Sequence, residues 1–125
     1  MSDFQRKLDN MAGRKAKAVM LSRQWPDNAR SMHAEIAAAL KSAGFSVWNE
    51  YATGDMGDYR KGRIDIFAEA YGGSVAIELD ARKPRARSIA KLRLFDCYKL
   101  IGLRGVDRVV IPDGIDDVIG LRVAL

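Results

Sequence analysis

Gly62 to Leu92 reads GRIDIFAEAYGGSVAIELDARKPRARSIAKL, and the fold turns on how this stretch pairs with itself. Ile64-Asp65-Ile66-Phe67-Ala68 and Val75-Ala76-Ile77 are apolar runs rich in β-branched residues, separated by Tyr71-Gly72-Gly73. That pattern predicts a β-hairpin. Side chains alternate faces along a strand, so Glu78 and Asp80 point the same way, roughly 6–7 Å apart. Val75, Ile77 and Leu79 then point into a core, and hairpin pairing can bring Asp65 to the side of the other two acids. Three carboxylates on one face repel one another. A divalent cation removes that cost, and Mg²⁺ takes one or two carboxylates together with waters and substrate phosphates. The same pattern also suits a solvated sheet face whose acids simply alternate with apolar residues. Immediately downstream, Arg82, Lys83, Arg85, Arg87, Lys91 and Arg93 follow one another with no acid among them. An acidic cluster beside a basic strip is the combination that phosphodiester chemistry uses: cations hold the backbone, and a metal activates water and steadies the leaving oxygen.

The rest of the chain bounds this reading. At 125 residues, 48% apolar and 30% charged, it is sized for one domain with a real core. The net charge of +5 leans toward a polyanionic partner. Residues 1–24 carry six bases against two acids, whereas residues 25–81 carry five bases against nine acids. Positive arms therefore bracket a negative centre. The single cysteine, Cys97, excludes an internal disulfide and a multi-cysteine zinc site, and it suits a reducing cytoplasm. No apolar run approaches the length of a membrane span, and the charged N-terminus is unlike a signal peptide.

In chain order, residues 2–24 are expected to form a basic helix ahead of a domain spanning residues 25–125. That helix reads either as an arm along nucleic acid or as a solvated helix packed lightly on the body or a second subunit. Gly13 is expected to weaken it. Pro26 stops it, Asp27 or Asn28 caps the next helix, and Gly44 ends that helix near Ala43. Met32, Ile36, Ala39, Leu40 and Ala43 form its apolar face, with Glu35 at the edge. His33 reads as a surface or edge histidine, with general-base chemistry as the functional alternative. Phe45 to Tyr51 alternates as a strand, and Glu50 at its end is either an auxiliary acid or an edge charge. In the Thr53–Gly62 connection, Arg60, Lys61 and Arg63 can grip a phosphate and Tyr59 can stack on a base, unless the segment is only a polar loop. Past Pro84, Ser88 is expected to cap a helix reaching about Leu103, with Ala90, Leu94, Cys97, Tyr98 and Ile101 on one face. Arg108 to Ile111 is expected to be a buried strand. The tail from Ile115 reads as either a strand or a short helix.

The layout around Asp65 and Glu78 resembles the PD-(D/E)XK nuclease superfamily over about residues 28–112. That resemblance implies an α/β (α+β) fold with a restriction-endonuclease-like core: helix, three strands, helix, strand, with a mixed central sheet flanked by helices. Asp65 matches the family's first acid and Glu78 its second. Asp80 stands where the motif lysine belongs, and Lys83 or Lys91 is expected to supply the missing ammonium, because relatives sometimes carry it on the following helix. Glu35 matches the acid that the first helix often contributes. The resemblance implies a DNA endonuclease using Mg²⁺ or Mn²⁺, held by Asp65 and Glu78 with Asp80 or Glu35, acting on duplex or branched DNA. Arg60, Lys61, Arg63, Arg82, Lys83, Arg85 and Arg87 are the expected nucleic-acid contacts. A homodimer would permit paired cuts, no membrane partner is expected, and the location implied is the cytoplasm, the host's if the chain is phage-encoded. The alternative is an inactive nuclease fold that binds nucleic acid or serves as a structural module, which the Asp at the lysine position favours.

Overall fold

The computed structural model describes residues 2–55, 61–106 and 109–124. Ser2 opens α1 (Asp3–Leu21) by accepting the Gln5 N–H at 3.1 Å, a standard N-cap arrangement. The helix is continuous through Gly13 because that glycine is a contact rather than a break. A Cβ at Gly13 would lie 2.4 Å from the Tyr98 ring. Ala12, Ala16 and Met20 are fully buried beside it. α1, expected as a basic arm, is thus seated in the core through a stripe of small residues.

Asn28 caps α2 (Ala29–Ser42) by accepting the Ser31 N–H at 3.0 Å, and Gly44 ends the helix turn with φ +101°. Three antiparallel strands follow: β1 (Ser46–Asp55), β2 (Lys61–Ala70) and β3 (Gly73–Arg82). Tyr71 (φ +56°) and Gly72 (φ +79°) form the two-residue turn between β2 and β3, with both central residues left-handed as such hairpins require. Asp9 of α1 fastens to this hairpin by accepting the Ser74 N–H at 2.9 Å.

A short helix, α3 (Ala86–Leu92), leads to β4 (Tyr98–Val106), which lies parallel to β3, and β5 (Asp117–Leu121) adds in parallel beside β4. The five-stranded sheet runs β1-β2-β3-β4-β5. One face carries α1 and α2 over Ile36, Leu40, Ile66, Ile77 and Leu100. The other carries α3 over Ile64, Ala76, Leu92, Ile101 and Leu103. Trp25, between α1 and α2, extends the β5 edge: its N–H donates to the Arg122 carbonyl at 2.9 Å and its carbonyl accepts the Ala124 N–H at 2.8 Å.

Two expectations past Pro84 are corrected. The helix ends at Leu92, and residues 98–106 form a strand rather than the rest of that helix. Adjacent Leu100 and Ile101 are both fully buried because they serve opposite faces of a central strand. A strand covered on both sides reads as an unbroken apolar run, which mimics a helical stripe. The strand expected at 108–111 is absent among the described residues there, and Val109, Val110 and Ile111 are about half exposed. The tail resolves as strand, in β5.

Candidate active site

β2 and β3 pair regularly from the turn as far as Ile66 and Ile77, and beyond that rung they part. At the fork, side chains replace the ladder. Glu78 Oε2 accepts the Asp65 N–H at 3.0 Å, and Asp65 Oδ2 accepts the Leu79 N–H at 2.7 Å. The two acids expected to converge therefore meet, each bound to the other's strand.

Their surroundings differ sharply. Glu78 is wholly buried toward α3, where Lys91 reaches its Oε1 as an ion-pair partner and donates to the Arg63 carbonyl at 2.9 Å. Lys91 is the one partner of Oε1 among the described residues. Burial pushes the Glu78 carboxyl up to about 8, the neighbouring Asp65 adds to this, and Lys91 opposes it. Asp65 turns the other way, into a cleft of about 500 Å³ that it shares with Met32, His33, Glu50, Asp80 and Arg85.

A paired slip in the strands sets that orientation. Trp48 and Tyr51 both pack on Phe67, with ring centres 6.0 and 4.6 Å away. Residues three apart on a regular strand face opposite sides. On β2, Ile64 and Phe67 likewise share the α3 face. The change of face falls between the pairs Asn49↔Ile66 and Tyr51↔Ile64, across the positions of Glu50 and Asp65, with the register unchanged there and shifting only further on, between Ala52 and Gly54. Glu50 has φ +53°, a backbone state that non-glycine residues seldom adopt. Both acids are thereby turned toward α2, which supplies His33. Ligand atoms of His33, Glu50 and Asp65 all lie within 4.8 Å of one another, with His33 Nδ1 3.8 Å from Glu50 Oε1.

Asp80, expected as a metal ligand, also borders the cleft, but its oxygens are engaged. They accept the Arg85 N–H at 3.0 Å, Arg85 Nε at 2.8 Å and the Ser88 hydroxyl at 2.8 Å. Ser88 therefore anchors α3 to β3 instead of capping it, and Asp80 latches the first turn from outside. Glu35 does not join the cleft. It is half-buried and pairs with Arg23 at 3.1 Å. Of the expected nucleic-acid contacts, Arg85 lines the cleft, whereas Arg63, Arg82, Lys83 and Arg87 are exposed around the fork and the β3–α3 connection. Arg60 and the Lys61 side chain lie outside the described residues, as does Tyr59. Arg30 and Arg104 add two further cations to the cleft rim, Arg104 pairing with Asp27 at 3.1 Å.

His33 and Glu50, read from the sequence as edge groups with a general base and an auxiliary acid as the alternatives, both line the cleft. The signal available was the Trp48–Tyr51 spacing, which breaks strict alternation just where Glu50 stands. Comparison of the chain with protein-family models, with curated proteins and with solved structures returned no match.

Proposed function

We propose that this chain is a divalent-metal-dependent DNA endonuclease built on a restriction-endonuclease-like core of the PD-(D/E)XK kind. The observation that carries the reading is the fork itself: Asp65 and Glu78 interlock where β2 and β3 part, and Lys91 of α3 brings an ammonium to Glu78. The element order, helix then three strands then helix then strand, agrees with it. On this reading Lys91, at the Glu78 carboxyl, takes the role that Asp80 forfeits in sequence.

A divalent cation at Asp65 would neutralise a scissile phosphate and make water a better nucleophile at neutral pH. The chain's own residues do the remaining work. Asp65 offers a carboxylate to the cleft while its backbone N–H is held by Glu78. Lys91, held by the Arg63 carbonyl, meets the Glu78 carboxyl behind it, so the wall of the site keeps its shape. Arg30, Arg85 and Arg104 line the approach with positive charge suited to a phosphate backbone. In a plasmid-nicking assay with Mn²⁺ or Mg²⁺, Asp65→Asn should lose at least about 10²-fold in rate, the scale of losing a transition-state charge contact. Unchanged nicking by this variant would refute the assignment.

A second reading, a nucleic-acid binder without chemistry, draws on two observations: Glu78 is fully buried, and Asp80 is committed to latching α3. It expects DNA affinity in EDTA, steeply weakened by salt, with no nicking.

A further inference from the structure

We infer that the cleft holds its cation through His33 Nδ1, Glu50 and Asp65, and that this nitrogen-containing site selects Mn²⁺-class ions over Mg²⁺. The inference rests on the reading of the cleft as a metal-dependent site and deepens it by naming the ligands and the ion.

The three donors come from three elements, α2, β1 and β2, and converge within 4.8 Å. His33 Nε2 lies 3.1 Å from Asn49 Oδ1. The Asn49 amide oxygen can only accept, so this contact calls for the proton on Nε2 and leaves Nδ1 as the ligand donor toward Glu50. Nδ1 and Glu50 Oε1 are 3.8 Å apart, too far for a hydrogen bond. A cation bound between the two would satisfy both. With bonds of about 2.1–2.2 Å, two donors on one ion sit roughly 3–4.3 Å apart, which brackets the observed distance. Asn49 is then the positioning residue that fixes the imidazole tautomer, as carbonyl and carboxylate partners do around metal-bound histidines.

Donor chemistry sets the preference. Mg²⁺ demands oxygen ligands and dehydrates reluctantly, whereas imidazole favours first-row transition ions. Glu78 is left out of this donor set, its Oε1 facing Lys91 and its Oε2 accepting the Asp65 N–H.

The test needs no DNA. The full chain, stripped with chelator, is titrated with MnCl₂ while the free-ion EPR signal is followed, and pulsed EPR reads ¹⁴N coupling to the bound ion. Expected are one saturable Mn²⁺ per chain, a ¹⁴N signature from imidazole, and at least about tenfold weaker competition by Mg²⁺. His33→Ala and His33→Gln should each abolish the ¹⁴N coupling and weaken Mn²⁺ binding by about 10–100-fold, and Asn49→Leu should weaken it on the same scale. Glu35→Gln should leave Mn²⁺ affinity within about threefold of the parent, since Glu35 pairs with Arg23 away from the cleft. Far-UV circular dichroism and melting temperatures establish that each variant is folded. Absence of saturable Mn²⁺, equal competition by Mg²⁺, ¹⁴N coupling that survives in both His33 variants, or a Glu35→Gln loss matching that of His33→Ala would each overturn the inference. Tight Mn²⁺ binding without nicking would uphold this site and sink the nuclease reading. Nicking that ignores His33 would do the reverse.

Discussion

Asp80 offers the sharpest test of the proposed nuclease reading, which would put a lysine there, whereas the structure needs the carboxylate. Its side chain is fully buried and accepts three hydrogen bonds, from the Arg85 N–H, Arg85 Nε and the Ser88 hydroxyl. The Arg85 side chain is 64% exposed, so its ion pair contributes no more than about 0.2–1 kcal/mol. The backbone N–H and the buried Ser88 hydroxyl each bond an ionised acceptor, worth about 1.5–3 kcal/mol apiece, and Ser88 would be left without a partner. Asp80→Ala should therefore cost about 3–5 kcal/mol, lowering the melting temperature of a chain this size by roughly 10–20 °C. Asp80→Asn keeps one acceptor oxygen and should lose about half as much. Asp80→Lys restores the motif but buries an ammonium against Arg85, so it should be at least as damaging as alanine and should not raise nicking. Urea unfolding followed by circular dichroism measures all three. An Asp80→Ala loss below about 1 kcal/mol would refute the latch, and so would an Asp80→Lys chain as stable as the parent.

Three further outcomes follow from the packing and the buried groups. Because the folded-state Glu78 carboxyl is raised to about 8, its share of stability is full below the ordinary carboxylate range near pH 4.5 and is lost as pH rises toward 8. Unfolding free energy should thus fall by about 1 kcal/mol per pH unit within that window, and Glu78→Gln should flatten the slope; parallel profiles for the two chains would contradict it. Gly13→Ala should destabilise by about 1–3 kcal/mol through the Tyr98 ring, and by at least about 1 kcal/mol less in a Tyr98→Ala background; strictly additive effects would deny the contact. Cys97, whose thiol burial pushes up to about 12, should resist iodoacetamide at pH 8 in the native protein and react readily in urea. Equal alkylation rates would disprove its protection.

Where structure follows from local chemistry, the sequence was legible. Asn28 and Gly44 bracket α2 as cap residues do, and Tyr71-Gly72-Gly73 marks the hairpin turn. Non-local burial was not legible. Tyr98 to Ile101 fits a helical stripe as well as a central strand, and the decision between them lies in α3 covering one face and α1 and α2 the other. α1 misled for a related reason. Its buried stripe of Ala12, Gly13 and Ala16 looks weakly apolar, yet small residues bury area by letting backbones approach. At Gly73 a Cβ would meet the Leu8 carbonyl oxygen at 2.1 Å, so the helix rests directly on the hairpin.

The same distinction governs the site. The approach of Asp65 to Glu78 follows from hairpin register, which a short turn pins and which any reader of the alternation can extend by one rung. The direction in which Asp65 points does not follow, because strict alternation would put it on the Glu78 side. It turns to His33 because β1 and β2 slip together, keeping their mutual pairing while exchanging faces at Glu50 and Asp65. A slip in one strand alone would have broken the pairing on both sides of the rung. Made in both strands, it keeps one register from Asn49↔Ile66 to Tyr51↔Ile64 and concentrates the strain at Glu50, whose left-handed backbone is held by the aromatic packing of Trp48 and Tyr51 on Phe67. The aromatic cluster on the α3 face and the three donors on the α2 face are therefore two sides of one device. Loosening the first, as by Tyr51→Ala, should release Glu50 and weaken the second.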